Sequence, residues 1–265
     1  MIQKKNYLKY YKKVYLTKRK NNLNVIGIFT LIVIMLISTV FLFYIFIGQE
    51  NNSGKNINSE NVNQVVSIKK KGLRKNFNLW NKKCDWNLLI VNNDNYIPDY
   101  FTCSLKEYGD IEVDERIIMD LNEMVQEARK ENIILWVSSG YRTINRQEQL
   151  FNQGVKELEQ NGLNKEDAIN EAVKVFSRPK ASEHNIGLSV DFNAMGEEFK
   201  DTKEYDWLLK NSTTYGFILR YQEGKEYITN HVFEPAHFRY VGEEHAQTMK
   251  SRNLCLEEYI STLIE

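Results

Sequence analysis

A run of 24 residues without a charge, Val25 to Gly48, divides the chain into parts that cannot share one core. Wound as a helix at about 1.5 Å per residue, it reaches about 36 Å, enough to cross a hydrocarbon layer of about 30 Å. No polar stripe runs along it, which sets it apart from a buried core helix. The residues that close it, Ile45-Phe46-Ile47-Gly48-Gln49-Glu50, offer no small-x-small cleavage site, which sets it apart from a removable leader. Residues 1–24 carry eight basic side chains (Lys4, Lys5, Lys9, Lys12, Lys13, Lys18, Arg19 and Lys20) and no acid. That excess keeps the N-terminal flank in the cytoplasm. The expectation is an uncleaved single-pass membrane anchor at 25–48 with everything after it outside the cell.

The chain is formally neutral, with 35 basic and 35 acidic side chains. Removing the eight basic residues of the N-terminal segment leaves 27 basic against 35 acidic, a formal charge of −8. An acidic body excludes nucleic acid as a partner, because that needs a basic face. Residues 49–75 are rich in Asn, Ser and Lys and cannot bury much apolar surface, so they read as a flexible tether. The folded domain is expected over 76–265, long enough for one sizeable core. Of the three cysteines, Cys84 and Cys103 are open to pairing in an oxidising compartment, and equally to standing as separate thiols. There is no Cys-x-x-Cys pair.

Within the domain, Trp86 to Val91 reads as a strand. Asp114 reads as the N-cap of a helix running to about Asn132, with Ile117, Ile118, Leu121, Met124, Val125 and Ala128 at helical spacing. Ile133 to Val137 reads as a buried strand ending at Ser138-Ser139-Gly140-Tyr141-Arg142. Helices are expected over Arg146 to Gln160, Glu166 to Phe176, Glu204 to Tyr215 and Glu243 to Ser251. Further strands are expected over Leu188 to Phe192, Phe217 to Tyr221 and Phe238 to Val241. Strands and helices mix without regular alternation, which predicts an α+β domain with a mostly antiparallel sheet flanked by helices, preceded by the one transmembrane helix.

The chemistry concentrates in two segments, Ser182 to Asp191 and Glu234 to His237, which hold two of only four histidines. Two imidazoles and a carboxylate with one open position make a catalytic zinc site, and a second carboxylate can take a proton from water. Gly187 suits a turn between His184 and a strand presenting Asp191. Glu234 and His237 would face opposite sides of a regular strand, and Pro235 disfavours a helix at Glu234, so both reach one centre only if the chain bends at Pro235-Ala236. Arg142, at a predicted strand end, is a candidate donor to a developing oxyanion. Neither the His-x6-Asp pair nor the Glu-x-x-His pair singles out a metal site alone. His231 and His245 lie outside these segments and read as non-ligands.

Taken in order, Ser139-Gly140-Tyr141-Arg142, Ser182-x-His184-x-x-Gly187-Leu188-x-x-Asp191, Tyr215 to Tyr221 and Glu234-Pro235-x-His237-Phe238-Arg239-Tyr240-Val241-Gly242 resemble the VanY-type D-alanyl-D-alanine carboxypeptidases. The likeness extends over about Asn87 to Ile260. It implies that His184, Asp191 and His237 bind zinc, that Glu234 is the catalytic base, that Arg142 supports the transition state and binds substrate, and that Ser182 lies near the substrate. The implied substrates are peptidoglycan stem peptides or precursors ending in D-Ala-D-Ala. Ala236 stands where that family usually has Trp, and Asn185-Ile186 replaces its commoner Gln-Thr. The exchange at 236 is expected to open the pocket beside a ligand. Two rivals stand beside carboxypeptidase action: a related peptidoglycan endopeptidase, and a non-catalytic receptor for cell-wall peptides.

Overall fold

A computed structural model describes residues 77, 79–193 and 196–264. The basic segment 1–24, the expected anchor 25–48 and the tether 49–75 lie outside the described residues. Among the described residues no helix is long and apolar enough to cross a membrane.

The regular elements begin with a hairpin, β1 (Leu105–Tyr108) and β2 (Ile111–Asp114), followed by helix α1 (Ile118–Lys130) and strand β3 (Val137–Ser139). Helices α2 (Ile144–Gln160) and α3 (Lys165–Ala172) lead to strand β4 (Ser189–Phe192), helix α4 (Lys203–Asn211) and strand β5 (Phe217–Leu219). A short helix α5 (Glu226–Thr229), strand β6 (His237–Tyr240) and helices α6 (Glu243–Ser251) and α7 (Leu256–Ile264) complete the order. The four later strands form one antiparallel sheet in the order β3-β4-β6-β5, so the α+β expectation holds.

The central strands β4 and β6 are buried on both faces, and the alternation of the pleat decides what each face carries. Val190 pairs with Phe238, and these residues, with Phe192, Phe217 and Tyr240, pack against Leu121, Met124 and Val125 of α1 and Trp207 and Leu208 of α4. On the other face Asp191 lies opposite His237, and Ser189 opposite Arg239. Ile218 joins a second cluster with Met249 of α6 and Leu256, Tyr259 and Ile260 of α7. Each fully buried Leu, Ile or Phe side chain contributes about 1.5–3 kcal/mol. Charged groups in the middle of such a sheet work against that gain and persist only when compensated.

Helix starts follow their caps. Asp114 accepts from the Arg116 amide and opens a 3-10 turn (Glu115–Ile117) that runs into α1. Thr143 caps α2 two residues earlier than expected, Asn164 caps α3 and Thr202 caps α4. The helix expected to reach Phe176 stops at Ala172, and the one expected to reach Tyr215 changes to a 3-10 turn at Ser212.

Two strands expected from apolar runs are corrected. Trp86 to Val91 is a 3-10 turn (Trp86–Leu88) followed by chain that pairs with no strand among the described residues. Side chains take its backbone groups instead. Asn81 bonds both the amide and the carbonyl of Ile90, Trp80 donates to the Leu88 carbonyl, and Arg239 donates to the carbonyls of Asn87 and Leu89. The strand expected at Ile133 to Val137 pairs only from Val137, and Ile134 and Trp136 point outward. The hairpin β1-β2 was not anticipated, although its Gly109-Asp110 loop between alternating residues is a two-residue hairpin signal. Cys84 and Cys103 are both free, half-buried thiols.

Candidate metal centre

Three strands deliver the site. Ser139 on β3 lies opposite Asp191 on β4, which lies opposite His237 on β6. Directly opposed residues in an antiparallel pair hold their side chains on one face about 5 Å apart. His184 arrives from the turn before β4. It sits in a 3-10 turn (Glu183–Ile186) that ends at Gly187 in the left-handed region, φ 70°. A side chain at Gly187 would come within 2.8 Å of the Asp114 amide, so only glycine permits both the turn and this approach.

The ligand atoms of His184, Asp191 and His237 all lie within 4.8 Å of one another, and all three residues are buried. His184 Nε2 is 3.4 Å from Asp191 Oδ2, and His237 Nδ1 is 3.1 Å from Asp191 Oδ1. The two rings meet edge to face at 89°. His184 Nδ1 lies 2.7 Å from the Gly140 carbonyl, which makes that nitrogen the N–H and leaves the Nε2 lone pair facing the cluster. Gly140 is held close by the hairpin. A side chain there would overlap the Glu112 carbonyl and the Ile111 side chain, and Glu112 also accepts from the Tyr141 amide.

Glu234 joins from the loop before β6. The Glu234 carbonyl accepts the His237 amide at 3.3 Å across Pro235-Ala236, so the chain makes the bend that both side chains require. Glu234 Oε2 is 3.7 Å from His237 Nδ1. Ala236, within that bend, is buried at 6 % exposure in the main apolar cluster.

Arg142 follows β3. Its amide donates to the His184 carbonyl at 3.0 Å, and its guanidinium donates to Gln147 Oε1 at 2.9 Å and Ser139 Oγ at 3.2 Å. Gln147 is itself buried and anchored on the Ser177 carbonyl. Asn185 donates to the Arg142 carbonyl, so the turn carrying His184 and the loop carrying Arg142 are stitched together. Ser182 is buried two residues before His184, with its carbonyl accepting the Asn185 amide.

The electrostatics fit a cation. Burial would raise the Asp191 carboxyl, but His184 and His237 outweigh it and hold Asp191 well below the usual carboxylate range. Burial pushes His184 down, with Asp191 opposing. Burial also disfavours charge on His237, yet Asp191 and Glu183 overcome it and raise that imidazole to about 9. Two imidazoles and a carboxylate are a zinc donor set with room for a fourth ligand. Burial lifts the Glu234 carboxyl to about 7, against the pull of His237.

The other two histidines stay outside the cluster. His231 is buried and stacks on Tyr221 with centroids 3.9 Å apart, and His245 Nδ1 pairs with the Tyr259 hydroxyl.

The family model for VanY, D-alanyl-D-alanine carboxypeptidase, matches residues 110–243, about half of the chain. A D-alanyl-D-alanine carboxypeptidase of Enterococcus faecalis is 38% identical over 179 residues, covering 67% of each chain. The chain belongs to the VanY D-alanyl-D-alanine carboxypeptidase family. VanYB in complex with D-alanine-D-alanine superposes with a TM-score of 0.63 at 37% identity, covering 67% of this chain and 99% of that one. A VanY D,D-pentapeptidase variant in complex with Zn(II) gives 0.61 at 36% identity, covering 66% of this chain and 99% of that one. The matched stretch of the VanY model contains Arg142, Ser182, His184, Asp191, Glu234 and His237.

One buried charge beside the cluster escaped the sequence reading. Glu183 is fully buried beside both His184 and His237 and meets Arg220 and Arg239.

Proposed function

We propose that this VanY-family chain is a membrane-anchored zinc D,D-carboxypeptidase that removes the C-terminal D-alanine from peptidoglycan stem peptides outside the cell. The carrying observation is the buried His184, Asp191 and His237 cluster, with Glu234 beside it and Arg142 hydrogen-bonded to its backbone. The location rests on the charge-free run 25–48 behind a basic segment.

His184 Nε2, one Asp191 oxygen and His237 Nδ1 would hold the zinc. When bound, zinc supplies an acidified water near neutral pH and polarises a carbonyl. Glu234, with a carboxyl near neutrality, takes the proton of the water that attacks the carbonyl of the penultimate D-alanine. The same carboxyl then returns a proton to the amino group of the departing D-alanine as the C–N bond breaks. Arg142 donates to the oxygen that gains negative charge, its fork held in aim by Gln147 and Ser139. Ser182 lines the substrate side next to His184.

The test is D-alanine release by the full-length protein from a stem pentapeptide ending in D-Ala-D-Ala. One D-alanine per peptide, lost on chelation and restored by zinc, is the expected result. Cleavage of cross-linked muropeptides without D-alanine release would replace this reading with an endopeptidase. Tight peptide binding without any cleavage would replace it with a receptor.

A further inference from the structure

The nitrogen of His237 that faces away from the cluster, Nε2, is buried and has no hydrogen-bond partner among the described residues. The acidic oxygen facing it is Glu183 Oε2, at 3.7 Å. We propose that Glu183 is a positioning residue for the metal centre, holding the His237 ring with N–H on Nε2 so that the Nδ1 lone pair faces His184 and Asp191. The inference rests on the metal-centre reading above and extends it by one residue outward.

Glu183 is placed for this by a network that leaves it little freedom. Its Oε1 accepts from Arg220 Nε at 2.8 Å and lies 2.8 Å from Arg239 Nη1. Its Oε2 accepts from Ser189 Oγ at 3.2 Å. Glu257 on α7 takes the far side of Arg220 through two bonds of 2.9 and 2.6 Å. Both arginines have no exposed surface. Arg220 and Arg239 therefore hold one Glu183 oxygen and leave the other turned toward Ser189 and His237. A carboxylate that only neutralised the arginines would have no reason to divide its oxygens in this way. A ligating histidine whose second nitrogen meets a carboxylate has its tautomer and orientation fixed and its basicity raised.

A structural role and a positioning role part company when Glu183 is compared with Glu257, which shares the arginine but takes Nη1 and Nη2 where Glu183 takes Nε. Zinc affinity is measured by competition with a chromophoric chelator on the full-length wild type, Glu183→Gln and Glu257→Gln. The expected result is a loss of about 10- to 100-fold for folded Glu183→Gln, with Glu257→Gln keeping the wild-type affinity although its melting temperature falls. Wild-type affinity in folded Glu183→Gln, or an equal loss in both variants, overturns the proposal. If Glu183→Gln does not fold, 15N spectra of the cadmium-113-loaded wild type decide. Cadmium coupling to Nδ1 of His237 with a proton on Nε2 supports the role, and coupling to Nε2 removes it. A wild type that binds no zinc defeats the metal-centre reading itself, a result distinct from either outcome at Glu183.

Discussion

Asp191 and His237 face each other across β4 and β6, with Asp191 Oδ1 3.1 Å from His237 Nδ1. The pair is set by strand register, so its substitution removes a ligand without removing a strand. Asp191→Asn should keep the fold and weaken zinc binding by more than the roughly 10- to 100-fold that loss of an outer partner costs. Metal content after dialysis, read beside the far-ultraviolet circular dichroism, checks this. A zinc-replete Asp191→Asn protein would remove Asp191 from the ligand set.

Glu234 sits close to His237 but outside the three-ligand cluster. Glu234→Gln should retain zinc and lose about 100- to 10,000-fold in turnover, the range for a positioned acid-base group. The D-alanine release assay and a metal analysis of the same sample separate the two effects. Unchanged turnover would mean that another group takes the proton.

Arg142 uses a planar fork, giving one branch to Gln147 and the other to Ser139. Lysine carries the charge but not the fork. Arg142→Lys should therefore lower kcat by about 100- to 1,000-fold, the scale of one oxyanion donor. Loss confined to KM would limit Arg142 to substrate binding.

Burial drives the His231 imidazole down from 6.5 to about 3, so the folded protein keeps it neutral. Its contribution to stability is complete above pH 6.5. It is lost progressively as pH falls toward 3, because the unfolded chain takes up a proton there and the folded one does not. The slope approaches about 1.4 kcal/mol per pH unit below 6.5. His231→Phe, which preserves a ring against Tyr221, should flatten the dependence of unfolding midpoints between pH 6.5 and 4. An unchanged slope would place the titrating group elsewhere.

Gly140 offers a test of how the hairpin supports the site. A methyl there overlaps the Glu112 carbonyl, so Gly140→Ala should cost about 1–3 kcal/mol of stability as an overpacked site. It should also weaken zinc binding, because the carbonyl that fixes the His184 tautomer must shift. Normal affinity in a destabilised variant would show that the carbonyl can move without disturbing the ring.

The candidate donors His184, Asp191 and His237, which the structure brings together, were legible in the sequence because histidine is scarce here and because Gly187 and Pro235 mark the two bends that aim them. The sheet was legible from its short apolar runs. Glu183 was not, since a glutamate beside a histidine looks like any surface charge until Arg220, Arg239 and Ser189 arrive from distant strands. The strand expected at Trp86 to Val91 failed for a related reason. Its apolar side chains are buried as a strand's would be, but Asn81 and Arg239 satisfy its backbone, and no periodicity reports a hydrogen bond made by a remote side chain. The segment 25–48, so strong as a pattern, lies outside the described residues.

The opposition of Asp191 to His237 has a consequence for assembly of the chain. A slip of one residue between β4 and β6 would swing Asp191 onto the apolar face beside Phe238 and leave His237 opposite Val190 or Phe192. No mispaired sheet can present the three donors together. Capture of an ion at these donors would thus act as an inspection of strand alignment, and molecules that zipped incorrectly during folding would remain unloaded rather than become sluggish catalysts.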